Sequence, residues 1–89
     1  MPLTKEEKQK IIKKFAQVKG DTGSPEIQIA LLTQEIKKLV VHLKEHFHDV
    51  SAKRGLLSKI AKRRRLLRYL ASKEAARYKK IVKELGIKK

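Results

Sequence analysis

The sequence predicts an all-α domain of four helices, a loosely packed N-terminal helix followed by three that pack as a bundle. Three observations lead there. Apolar residues recur at spacings of three and four along most of the chain, the period of a helix with one buried face. Helix starts and stops divide that pattern at Thr4, Gly20, Ser24 and Gly86, and no stretch alternates with the period of a strand. The 89 residues contain no internal repeat and are enough for one domain, residues 1–89, with a modest core.

The first helix is expected over about residues 4–16. Thr4-Lys5-Glu6-Glu7 has the spacing of a capping box, in which threonine and glutamate satisfy each other's free backbone N–H groups. Its apolar residues, Ile11, Ile12, Phe15 and Val18, make only a narrow stripe, and Gly20 ends it. The loop GDTGSP follows; its plain reading is a helix connector. Ser24, Pro25 and Glu26 supply a capping oxygen, a proline at the first helical position and an acid near the positive end of the dipole.

The second helix is expected over about 25–46, with Ile27, Leu31, Leu32, Ile36, Leu39, Val40, Leu43 and Phe47 on its apolar face. The third is expected over about 51–72. Leu56, Leu57, Ile60, Ala61, Leu67, Leu70 and Ala71 form its buried stripe, and Arg64 interrupts it, with its aliphatic stem along the core edge. The fourth is expected over about 73–85, with Tyr78, Ile81, Val82 and Leu85 inward and Gly86 as the stop.

Charge decides the class of partner. The chain carries 24 Lys and Arg against 9 Asp and Glu, a formal net charge of +15. Residues 1–49 hold 9 cations and 7 acids; residues 50–89 hold 15 and 2. Between Asp49 and Glu74 stand nine cations and no acid. That arrangement repels itself unless a polyanion is the usual neighbour. Lys53, Arg54 and Arg68 are candidate phosphate contacts. Lys62-Arg63-Arg64-Arg65 spans a full helical turn, so two or three of the four meet one ligand.

Other chemistries lack their residues. There is no cysteine, hence no disulfide framework, thiolate metal site or cysteine nucleophile. His42 and His46 have a metal-ligand spacing, but no glutamate of an HExxH motif accompanies them, and no metal or cofactor is expected. The histidines, with Asp49, are better suited to the base edges and ribose hydroxyls of a shallow RNA minor groove. Four aromatics and no tryptophan are too few for a base-stacking platform. A membrane-surface helix would set exposed Trp or Phe opposite its cations, and a DNA-recognition helix would start with residues unlike Ala52-Lys53-Arg54-Gly55. No P-loop glycine spacing or nucleophile–base pair points to an enzyme. The N-terminus has no apolar signal segment, so a cytoplasmic chain is expected.

DTGSPEIQIALLT at 21–33, HLKEH at 42–46, HD at 48–49, RGLL at 54–57, RRRLLRYL at 63–70 and RYKKIVKELG at 77–86 together resemble the family of bacterial small-subunit ribosomal protein fifteen. The likeness runs over about residues 3–88. It implies a four-helix protein, a monomer when free. Its partners would be small-subunit ribosomal RNA, other small-subunit proteins and, in the joined ribosome, large-subunit RNA. It implies early binding at a three-way RNA junction and an adjacent duplex minor groove. By the match, Thr22, Gly23, Gln28 and Tyr69 would hold the junction, with Arg64 and Arg65 on phosphates. His42 and Asp49 would read the groove. The family's third groove residue, a serine, aligns with Ala52; Ser51, one residue earlier, is the candidate replacement. Glu35 stands where some members carry a neutral or basic residue.

Overall fold

The computed structural model describes residues 3–15 and 23–87 of the chain. Four helices are described: α1 (Lys5–Phe15), α2 (Pro25–Glu45), α3 (Val50–Lys73) and α4 (Ala75–Leu85), with no strand among the described residues. The expectations at Val18, Gly20 and Thr22 lie outside the described residues.

Local chemistry sets each boundary. The capping box is formed: Thr4 N–H donates to Glu7 Oε1 at 3.1 Å, and Glu7 N–H to Thr4 Oγ1 at 3.2 Å. Ser24 Oγ accepts from Ile27 N–H at 3.4 Å, with Pro25 at the first helical position. α3 starts earlier than expected because Asp49 takes its cap, Oδ1 accepting from Ala52 N–H at 3.0 Å. Glu74 closes α3 and opens α4, its N–H bonding Leu70 O at 2.7 Å. Gly86, at φ 64°, ends α4; its N–H reaches Lys83 O and that of Ile87 reaches Val82 O, the Schellman pattern.

α2 and α3 form an antiparallel pair. Cross-links fall in antiparallel order: His42 with Asp49, Glu35 with Lys59, and Thr33 with Arg63. α4 folds back along one side of this pair. The Arg77 guanidinium grips the buried Glu26 carboxylate with two nitrogens, Nη2 to Oε1 at 2.6 Å and Nε to Oε2, and ties α4 to the first turn of α2. α1 lies against α2, and Lys38 Nζ reaches Glu7 Oε1 at 2.5 Å. Leu3, Ile11 and Phe15 join Ile27, Ile29, Ala30, Leu70 and Ile81 in one core, so the narrow stripe of α1 is nonetheless buried.

Four packing expectations are corrected. Phe47 is 61 % exposed because α2 ends before it. Leu57 is 68 % exposed: α4 is only 11 residues long and covers the C-terminal half of α3, leaving Leu57 without a neighbouring helix. Val40 is exposed as well. The arginine on the core edge is Arg63, whose Nη1 donates to Thr33 Oγ1 at 3.3 Å, while Arg64 is exposed. One residue along a helix is about 100° round its axis, so an error of one position turns the side chain from core to solvent. Ile29 and Ala30 are fully buried because α2 is covered from several sides.

Candidate nucleic-acid interface

Opposite α4, the α2–α3 pair presents a broad face. On α2, Gln28, Glu35 and His42 recur every seven residues and so lie nearly above one another, spread over about 21 Å. On α3, Gly55, Lys62 and Tyr69 recur at the same interval. Ser51, Ser58, Arg65 and Ser72 fall close beside them, at the three-and-four spacing of one helical stripe. Ser51, Ser58, Lys62, Arg65, Tyr69 and Ser72 are all exposed. Antiparallel pairing brings the start of α2 to the end of α3, and the end of α2 to the start of α3.

At the first end stand Gly23, Gln28 and Tyr69. Gln28 Nε2 donates to Gly23 O at 2.8 Å, which fastens Gly23 to the first turn of α2. Tyr69 is 54 % exposed, and its own backbone oxygen accepts from Ser72 Oγ at 2.9 Å. Its ring is therefore offered to solvent from a fixed helical turn. At the other end, Asp49 Oδ2 meets His42 Nε2 at 2.8 Å while Oδ1 caps α3. The Ala52 N–H, and after it the His42 ring, hold the Asp49 carboxyl below the usual carboxylate range. The His42 ring also lies 4.7 Å from that of His46. With Nε2 engaged by Asp49, Nδ1 is the ring nitrogen available to a ligand. Among the described residues no group of three or more His, Cys, Asp or Glu is placed to hold a metal.

Between the ends, Lys59 Nζ binds Glu35 Oε2 at 2.8 Å. The one carboxylate in the middle of this face is thereby covered by a cation.

The sequence-derived candidates divide. Gly23 and Gln28 are bonded to each other, as are His42 and Asp49, and antiparallel pairing puts Tyr69 at the end of α3 nearest the first pair. Arg65 shares the Tyr69 side of α3. Arg54 is exposed at the edge of the same stripe. Arg64 and Arg68 turn to the other side of α3, where with Arg63, Ile60, Leu67 and Tyr78 they line a groove of about 500 Å³ against α4. Lys53 is exposed on that side as well. Ser51 is exposed, about 100° round the axis from Ala52, the residue buried beneath Asp49. Sequence reasoning passed over Lys62 as an individual candidate, and Ser58 altogether; counting back from Tyr69 in sevens, and in fours and threes, finds both. No helix of the described residues is long and apolar enough to cross a membrane.

Comparison with known proteins gives one result. The family model for ribosomal protein S15 matches residues 8–88. The chain is 55 % identical over 89 residues to small ribosomal subunit protein uS15 of Dictyoglomus thermophilum, covering 100 % of both chains. It is 52 % identical, again over 100 % of both, to the proteins of the same name from Acholeplasma laidlawii and Natranaerobius thermophilus.

Proposed function

The chain belongs to the ribosomal protein S15 family, and on that premise we propose that it is a structural, non-catalytic component of the small ribosomal subunit in the cytoplasm. It binds the central domain of small-subunit ribosomal RNA through the α2–α3 face. The end with Gly23, Gln28 and Tyr69, together with Thr22, holds a three-way junction. The end with His42 and Asp49, with Ser51 nearby, reads an adjacent duplex minor groove. The observation that carries this reading is the shape of the face. One antiparallel helix pair bears two polar clusters, one at each end, and cations line the α3 edge that joins them.

The physical account needs no enzyme. Arg65, Lys62 and Arg54 neutralise phosphates and release counterions, which supplies affinity that falls as salt rises. Asp49, His42 and Gln28 are short polar groups held by bonds inside the protein. They meet 2′-hydroxyls and groove edges at little further cost in order. Because both ends sit on one helix pair, the protein favours the junction geometry that fits both and shifts the RNA toward it by differential affinity. Early binding of this kind nucleates assembly. In the joined ribosome, the basic half of the chain meets large-subunit RNA.

Equilibrium binding across a salt series tests the reading, with a three-way-junction fragment of small-subunit ribosomal RNA beside a linear duplex of equal length. A preference of ~10³ or more for the junction at physiological salt is expected. Equal affinity, falling steeply with salt for both, would reduce the face to a generic polycation.

A further inference from the structure

Gly55 occupies the interior of α3, where glycine is among the least favourable residues. Nothing within the protein asks for it. Beyond its chain neighbours and the backbone of its own helical turns, a Cβ at Gly55 would meet no atom within 4 Å, and its φ is not positive. Gly86 is the contrast: its φ of 64° is one that side-chain-bearing residues rarely adopt.

The reason lies on the outside of the fold. Gly55 is in register with Lys62 and Tyr69, one turn from Ser51, on the side of α3 facing away from α4. It is half-exposed, so its backbone is reachable. An A-form duplex offers a wide, shallow minor groove edged with 2′-hydroxyls. A convex helix can settle against that surface only where its side chains are short.

We infer that Gly55 is the point at which the RNA duplex comes closest to the backbone of α3, and that its missing side chain is a requirement for binding at the His42–Asp49 end of the face. The inference rests on the proposed RNA-binding role of that face. The ligand chemistry is the sugar edge of a base-paired RNA, not a phosphate, so the contact is one of shape and not of charge.

The test is Gly55→Ala, with Gly55→Gln as a longer probe. Thermal unfolding and RNA affinity are measured on the same samples, using the junction fragment with its adjoining duplex. Gly55→Ala removes a helix-interior glycine without a clash, so Tm rises by about 2–8 °C. Affinity for the RNA falls roughly tenfold or more, within the range set by one misfitted contact in a specific site, and further for Gly55→Gln. The salt slope stays as in the parent chain, because no cation is lost. Opposite signs in stability and affinity are the signature, since a merely structural role moves both in one direction. Affinity unchanged or improved in Gly55→Ala, while the parent chain prefers the fragment over linear duplex, would overturn the inference alone. A parent chain without that preference would overturn the reading of the face, and the inference with it.

Discussion

Arg64 and Arg65 are adjacent in sequence, equal in charge and both exposed, yet they should behave differently toward RNA. Arg65 lies beside Tyr69 on the candidate face; Arg64 is about 100° away, over the groove against α4. Each phosphate neutralised contributes about 0.9 to the slope of log affinity against log salt. Arg65→Ala should therefore flatten the slope by about 0.9, or by about 0.7 where the contacted strand is single. Between 50 and 200 mM salt, one such contact loses ~3.5-fold of its contribution. The deficit of Arg65→Ala relative to the parent chain should shrink by that factor across the series. Arg64→Ala should show a nearly constant ratio to the parent. Neither change should shift stability by more than about 0.5 kcal/mol, as exposed surface substitutions. Filter binding or fluorescence anisotropy at four salt concentrations suffices. Equal slope changes in the two variants would mean that RNA does not meet a single side of α3, and the assignment of one helical stripe to the ligand would be wrong.

Three further outcomes are expected. Lys59→Ala leaves the Glu35 carboxylate uncovered in the middle of the face, so RNA affinity should fall, and Glu35→Gln added to the same chain should restore most of it; a double-mutant cycle with no coupling would detach this pair from binding. Glu26→Ala removes the buried partner of Arg77, a carboxylate only 3 % exposed. The cost should be about 2 kcal/mol, less than a fully buried charge would exact because the Arg77 side chain is half-exposed, and Tm should fall by about 8–16 °C in calorimetry. The Lys38 ammonium, then the Thr4 backbone N–H, hold Glu7 down at about 2, against an ordinary value of 4.5. A depressed carboxyl contributes stability that is complete above its unfolded value and is lost as pH falls through its folded one. The tie between α1 and α2 should hold at pH 5 and loosen between pH 4.5 and 2. Amide exchange in α1 should show this, and Lys38→Met should weaken that dependence to the part that the Thr4 capping bonds sustain.

Much of the fold was legible because its instructions are local. Thr4 with Glu7, Ser24 with Pro25, and Gly86 each act within a single turn, and the structure uses each as the spacing implied. Asp49 carried the same kind of signal, three residues before Ala52, but it stands among His42, His46 and His48, and that polar cluster masks a cap in the sequence. The misread side chains depend on longer range. Leu57 looks buried from periodicity, and only the reach of α4 leaves it bare. Arg63 and Arg64 differ by one step of phase, which a stripe broken by four successive cations does not settle. At the candidate interface, the types of residue were readable from charge and resemblance. That Gln28 should stand near Tyr69, 41 positions later, follows from antiparallel pairing of α2 and α3 and from nothing in either segment alone.

α3 runs 24 residues without a break, about 36 Å of continuous helix, and both candidate contact clusters are tied to it. Once one end has docked, the other is held at a set distance from its target and is not free to wander. The second contact then forms as an intramolecular event, at an effective concentration that a flexible tether of the same span would dilute. Weak contacts at each end would therefore combine into long residence, because release requires both to open together. An RNA whose junction and groove stand at another separation gains nothing from the second end. Selectivity among folded RNAs would then come partly from a length, measured by the helix itself.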